Sequence, residues 1–481
     1  MLFNSLEYLL FLPLVFVLYW FVFKKTQSQN VLLLIASYVF YAAWDYRFLA
    51  LIILSSGIDY LSGTKVYNAK DQRDKKRWLL VSVVMNLGAL AAFKYFDFFI
   101  SSWIDLMDTI GVRTNLEVLN IVFPVGISFY TFQTLSYTID IYRGKMEPTK
   151  DWVAFFGFVS FFPQLVAGPI ERAKDLLPQF NQTRAFDYNT AVDGLRQILW
   201  GMFKKVVVAD NCAILVNEVF GHYEEAQPLQ LLAGVCLFFI QVYGDFSGYS
   251  DIAIGSAKLF GFKLSLNFST PFFSRSFGEF WRRWHITLND WFRDYVYFPL
   301  GGNRKGRFRM YFNIVVVFGL CGFWHGAQWT FIFWGLANAL LFVVERLLVR
   351  DKEETEITGV KLFHLGQLVR MIIVFLAVAL TLVFFRAKDL DEALGYFGGM
   401  LNFSGQHSFD FSASTRHQAM ILKLSLFIPA MVIGEWLSRG QDHPLQRMPK
   451  NRGFRYSIYI VLTLLCIEYL YGDVPFVYFQ F

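Results

Sequence analysis

The sequence predicts an all-α polytopic membrane protein, and three observations carry that prediction. Of its 481 residues, 55% are hydrophobic, 19% aromatic and only 17% charged, which is more apolar than ordinary soluble domains. The apolar residues come in repeated runs near the roughly 20 residues that a bilayer crossing demands. The basic residues fall between those runs, where cytoplasmic loops carry their charge. Disorder, collagen and coiled coil are excluded. Lys and Arg number 44 against 38 Asp and Glu, a net +6, but charge placed between spans reads as contact with anionic headgroups, so no nucleic-acid partner is expected. Cys212, Cys236, Cys321 and Cys466 stand far apart with no CxxC and no His at ligand spacing, so neither a disulfide frame nor a metal site is indicated.

Taken in order, the first apolar run, 6–23, is followed by Lys24 and Lys25. That reverses the charge order of a cleavable signal peptide and reads as a retained first span. Runs 30–44, 48–62, 78–100 and 119–141 follow as further spans. The cluster Lys65, Lys70, Arg73, Lys75, Lys76 and Arg77, and then Arg143, Lys145 and Lys150, mark inner loops and put the N-terminus outside. From the other end, Arg447, Lys450, Arg452 and Arg455 precede a last span at 456–471, which leaves the C-terminus outside too. Spans at 370–385 and 419–437 enclose an outer loop, 386–418. In the middle, 152–169 contains Pro163, Gly168 and Pro169 and reads as a re-entrant or broken helix. Segment 194–205 ends in Lys204 and Lys205 and reads equally as an interfacial helix or a span. The total is about 10–12 spans in one integral membrane domain over 1–481: N-terminal spans in 1–120, a core in 121–400 and C-terminal spans in 401–481.

Ionisable groups at membrane depth are expensive and point to function. His325 lies in GLCGFWHGAQWTFIFWG, inside an apolar stretch, 311–349, with basic residues at both ends. Two short helices broken near Gly322–Gly326 account for that, with His325 about 21 Å from Tyr311 at 1.5 Å per residue. A neutral imidazole there suits a general base, although a histidine that only bonds two helices together is the plainer alternative. In SFGEFWRRWHITLNDWFRDYVYFPLGGNRKG, residues 276–306, arginines alternate with aromatic rings as in an interfacial helix. His285 and Asn289 stand four apart on one helical face, and Gly301-Gly302-Asn303-Arg304 forms a basic turn able to contact phosphate. Tyr243-Gly-Asp245-Phe-Ser247-Gly-Tyr249-Ser250-Asp251 reads either as a broken helix lining a cavity or as a loop between runs 231–242 and 252–262.

The segments GDFSGYSDIAIGSAKLFGFKLSLNFSTPF, EFWRRWHITLNDWFRDYVYFPLGGNR and GFWHGAQWTFIFWG resemble the core of the membrane-bound O-acyltransferases, in the bacterial branch containing the alginate O-acetyltransferase membrane subunit. FPQLVAGPIERAKDLLPQF and LVFFRAKDLDEALGYF extend the likeness over about 122–397. The resemblance implies a ring of tilted helices around a tunnel, with interfacial helices on the cytoplasmic side. It implies His325 as catalytic and His285 as the second signature position. Asn289, Trp324, Asp245, Ser247, Arg282, Arg283 and Arg304 are candidates for substrate binding or for donating to an oxyanion.

The implied function is transfer of an acetyl group from a cytoplasmic thioester, acetyl-CoA, to hydroxyls of an exported polysaccharide such as alginate in the bacterial inner membrane. A periplasmic SGNH-type partner is implied as well, and no tightly bound cofactor. The alternatives are a D-alanyl transfer subunit for teichoic acid, with a carrier-protein thioester as donor, and a transporter in which His325, Asp245 and Asp251 relay protons.

Overall fold

The computed structural model describes residues 1–166, 168–348, 364–403 and 414–470. Expectations that fall on Arg350, Tyr471 and the middle of loop 386–418 lie outside the described residues. All regular structure among the described residues is helical. Seven stretches there are long and apolar enough to cross a membrane, among them Thr26–Asn68, Pro228–Leu259, Arg307–His325 and Trp329–Leu348. The protein is an all-α, multi-pass membrane protein.

The chain forms two compact units, Met1–Ala191 with Ser256–Ser265, and Val192–Gly255 with Leu266–Phe481. In the first lie α1 (Leu6–Val17), α2 (Thr26–Asp45), α3 (Leu49–Asn68), α4 (Gln72–Leu90), α5 (Phe96–Thr109), α6 (Ile127–Tyr142), α7 (Trp152–Ser160), α8 (Phe162–Leu165) and α9 (Ala173–Phe180). Ser5, Asp71 and Asp151 cap α1, α4 and α7 by accepting from backbone N–H groups one turn on, the role short polar side chains serve at helix starts.

The expected span 119–141 is helical only from Ile127, because Gly126 adopts a left-handed φ of 80°. A Cβ there would lie 2.8 Å from the Leu165 carbonyl oxygen, so the turn requires glycine. The break expected in 152–169 falls at Phe161, between α7 and α8. Aromatic rings fill this unit's core: Phe262 lies 4.8 Å from Phe161 and 4.7 Å from Phe180. Buried Asp59 of α3 accepts from Ser82 and Asn86 of α4 and from Thr138 of α6, so one carboxylate ties three helices together.

From Val192 to Gly255 and onward from Leu266 the second unit contains most of α10 (Tyr188–Met202), a π-helical turn at Phe203–Ala209, α11 (Asp210–Gly221) and most of α12 (Pro228–Leu259). The short helices α13 (Phe277–Arg283) and α14 (Ile286–Phe292) follow, then α15 (Arg307–His325), α16 (Trp329–Leu348), α17 (Leu365–Arg386), α18 (Leu390–Leu401), α19 (Thr415–Leu437) and α20 (Arg452–Glu468).

Here the structure corrects three expectations. Residues 243–251 are neither a broken helix nor a loop; they run unbroken through α12. Their glycines serve close packing: a Cβ on Gly248 would lie 2.7 Å from the Gly201 oxygen, and one on Gly255 would lie 2.5 Å from the Gly194 oxygen. This is how small residues let helices approach in a membrane protein.

Lys204 and Lys205 do not reach to an interface but are buried. Lys204 pairs with Asp251 at 2.6 Å, and Lys205 with Asp210 and Asp245, both at 2.7 Å. The acids of α12 are therefore neutralised by side chains, and the helical backbone bonds stay intact. Third, 311–349 holds two helices of 19 and 20 residues rather than two short ones. They cross where Gly322 and Gly335 face each other, each Cα being 3.3 Å from the Cβ the other would carry.

Candidate active site

His325 occupies the last position of α15, and the chain breaks at Gly326 before α16 begins. Its helix starts at Arg307 rather than Tyr311, so the ring sits at a helix end about 27 Å from Arg307, at 1.5 Å per residue. It is 6% exposed. Its walls are aromatic: Trp324 at 4.9 Å between ring centroids, Trp334 at 5.1 Å and Phe385 at 5.6 Å. Such walls exclude water and strengthen any charge interaction inside them.

The second histidine meets it there. The rings of His285 and His325 are 6.3 Å apart, with Trp324 6.0 Å from His285. The expected helical face bearing His285 and Asn289 is split. Trp284 and His285 separate α13 from α14, and His285, in the left-handed region with φ 44°, is the residue before α14. The spacing of one turn survives, because the Asn289 N–H still donates to the His285 carbonyl at 3.1 Å. Burial without a charged partner pushes the His285 imidazole down to about 3, so it is neutral throughout the physiological range.

A cavity of about 790 Å³ is lined by residues of α13, α14 and α15 together with Arg439. Cys321, one turn before His325, lines it, as does Trp281, whose ring lies 6.1 Å from Trp334. The lining carries Arg282, Arg283, Arg293 and Arg439 with Glu279 and Asp290, and Arg293 also pairs with Asp294 at 2.9 Å outside it. Glu279 pairs with Arg275 at 3.1 Å and Arg283 at 2.9 Å, and Asp290 with Arg293 at 2.5 Å. Burial opposes the Glu279 charge, but the Arg275 backbone N–H and the two guanidiniums outweigh it and hold the carboxyl below its usual range. The cavity keeps an excess of positive charge, suited to an anionic ligand.

Of the sequence-derived candidates, the structure thus gathers His325, His285 and Trp324 into one buried cluster and puts Arg282, Arg283 and Asn289 on the neighbouring cavity. The Asn289 amide donates to the carbonyls of Trp281 and Trp284, both at 2.6 Å; it ties α14 to α13. Arg304 is exposed in the turn after α14 and does not line the cavity. Asp245 is engaged by Lys205, and Ser247 lines a separate space of about 30 Å³, large enough for one water.

Sequence reading missed Asn267, and it placed Lys204 and Lys205 at the end of an interfacial helix or span without their buried acidic partners. The acids of GDFSGYSD were the available sign that two nearby lysines inside an apolar segment had buried partners.

The structure thus places a buried histidine pair at a helix break in a membrane protein, beside an electropositive cavity. The chain belongs to the membrane-bound O-acyltransferase family, whose model matches residues 149–356, and it is an O-acyltransferase. Among its relatives it is 38% identical over 458 residues to the probable alginate O-acetylase of Azotobacter vinelandii, covering 94% of this chain and 88% of that protein. It is 34% identical to the peptidoglycan O-acetyltransferase of Helicobacter pylori, covering 97% and 89%. The teichoic acid D-alanyltransferase of Streptococcus thermophilus is more distant, 28% identical over 48% of this chain and 58% of that protein.

Proposed function

We propose that the protein moves an acetyl group from acetyl-CoA, bound from the cytoplasm, to hydroxyls of an exported polysaccharide such as alginate. In this reading it lies in the bacterial inner membrane with both termini outside and works with a periplasmic SGNH-type partner. As general base, His325 takes the proton of the attacking hydroxyl while the new C–O bond forms and the C–S bond breaks, and the departing thiolate receives that proton. As acyl relay, its nitrogen first bonds the acetyl carbon as the C–S bond breaks. The hydroxyl oxygen then bonds that carbon as the C–N bond breaks, its proton passing to the thiolate. The observation that carries the reading is the buried His325–His285 pair, with centroids 6.3 Å apart, beside a cavity whose arginines suit the phosphates of the donor. The relatives named for O-acetylation cover nearly the whole chain, whereas the D-alanyltransferase match covers about half; this favours acetyl over D-alanyl.

The test is the O-acetyl content of exported polysaccharide in a deletion strain complemented with wild type or His325→Ala at equal membrane abundance. Restoration by wild type alone is the expected result. Restoration by both removes His325 from the chemistry. Restoration by neither makes that polymer the wrong acceptor and brings D-alanyl transfer forward.

A further inference from the structure

Asn267 lies in the segment between α12 and α13 and is fully buried at 0% exposure. Its Oδ1 accepts from the Thr287 hydroxyl at 2.9 Å and the Thr287 backbone N–H at 3.4 Å, and its Nδ2 donates to Ser250 at 3.3 Å. A backbone N–H can only donate, so the amide atom facing it is the oxygen. That same oxygen is 3.1 Å from Nδ1 of His285, so Nδ1 must carry a hydrogen. In a neutral imidazole the other nitrogen then carries a lone pair. Nε2 of His285 is buried and has no hydrogen-bond partner among the described residues. A buried acceptor left open in this way is costly unless something in the working cycle fills it.

The Asn267 backbone adds a second hold. Its carbonyl accepts the Ile286 N–H at 2.9 Å, fixing the chain immediately after the left-handed His285. The rings around the imidazole are Phe246 at 4.7 Å, Trp324, Phe268 and His325. Of these rings only His325 is an imidazole.

We propose that Asn267 is a positioning residue for the acyl-transfer centre: it holds His285 as the Nδ1–H tautomer and so presents a bare Nε2, able to accept from a hydroxyl or from an imidazole N–H, beside His325. This rests on the reading of the two histidines as the reaction centre. The Thr287 hydroxyl donates to the same amide oxygen, and Thr287→Val removes that bond while keeping the backbone N–H that orients the amide, which separates tautomer control from loop packing.

The first experiment is histidine ¹⁵N NMR of the purified full chain in detergent, with the His285 signal among seven histidines assigned by its loss in His285→Gln. The Nδ1–H form is expected in wild type and in Thr287→Val. Asn267→Ala is expected to give a mixture of tautomers. An Nε2–H signal in wild type overturns the proposal whether or not the protein acetylates anything.

The second is the pH profile of thiol release from acetyl-CoA. Asn267→Asp keeps the acceptor and adds a negative charge, which raises an imidazole pKa by about 1–3 units. From the value near 3 that burial gives His285, its acid limb is expected to move to about 4–6 in a profile read from about pH 3 to 8, with activity approaching wild type on the alkaline side. Asn267→Ala is expected to lose between about 10- and 10⁴-fold, the upper figure being the cost of a wrong tautomer in a serine-protease triad. Thr287→Val should stay within about threefold. A wild-type profile in Asn267→Asp, where His325→Ala is inactive, overturns the positioning role alone. Activity surviving in His325→Ala overturns the reading beneath it. A loss in Thr287→Val equal to that in Asn267→Ala assigns the effect to packing and overturns tautomer control.

Discussion

Gly322→Ala isolates the helix crossing that sets the position of His325. The added methyl would meet the Phe331 carbonyl carbon at 3.0 Å and its oxygen closer still, with the Gly335 Cα at 3.3 Å. Ordinary contact begins near 3.4 Å and the obstacle is backbone, which cannot rotate aside, so α15 and α16 must separate by about 1 Å. Overpacking of this size costs about 1–3 kcal/mol, which a fold of this size survives. The chemistry is less tolerant. His325 is three residues beyond the crossing and Trp334 is next to Gly335, so the 5.1 Å ring contact between them opens. A misplacement of about 1 Å costs on the order of 10²-fold in rate. Gly319→Ala is the internal control, one turn earlier on the same helix, where the added Cβ meets only the end of the Leu336 side chain at 3.7 Å. The assay is acetyl transfer per folded protein in isolated membranes, with folded abundance read from monodispersity in detergent. Expected are a loss of about two orders of magnitude in Gly322→Ala and near-normal turnover in Gly319→Ala. Equal activity of the two would refute the argument that backbone proximity at this crossing positions the histidine.

Two further outcomes follow from buried charge. Lys204→Met leaves Asp251 and Glu435 facing each other without their ammonium, which now lies 2.6 Å and 3.8 Å from them. Removing one partner of such a pair costs about 3–5 kcal/mol. Thermal unfolding in detergent should show a large loss, partly restored by Asp251→Asn in the same chain; an unchanged midpoint in Lys204→Met would mean that the pairs hold nothing together. Glu171 accepts from the Ser265 N–H and hydroxyl, yet burial still pushes its carboxyl from 4.5 up to about 7. The folded state therefore binds the extra proton between those values, so stability falls as pH rises through that window and stays reduced above it. Glu171→Gln should flatten this dependence and be the more stable variant at pH 8, as measured by unfolding midpoints from pH 4 to 8.

Much of the fold was legible because lipid imposes its own rules: crossing runs must be long, apolar and helical. The errors fall where polar residues sit inside helices. GDFSGYSD reads locally as a helix breaker, with two glycines, two acids and two serines in eight residues. What keeps α12 continuous is a pair of lysines some forty residues earlier in sequence and glycines that pack on Gly194 and Gly201. Charge patterning shows that acids are present, not which cations reach them. Asp59 and Asn86 went unremarked for the complementary reason, since single polar residues in apolar runs disturb neither length nor mean hydropathy.

At the site, legibility divides by whether a residue's chemistry is its own or borrowed. His325 announces itself as an ionisable group between glycines in an apolar run, and the FWH and RRWH segments are long enough to carry a family likeness. Asn289 looked equally chemical, but both of its donor contacts go to the carbonyls that end α13, a use that spacing does not foretell. Asn267 is the reverse case. In LSLNFSTPF it resembles an ordinary turn residue, and nothing about it suggests a histidine eighteen positions away. Its place in the site comes from the left-handed backbone at His285, beside which the imidazole meets an amide oxygen that the Thr287 backbone N–H orients. A sequence can show which groups are able to move a proton. Which nitrogen is bare to receive one depends on neighbours that only the folded chain brings together.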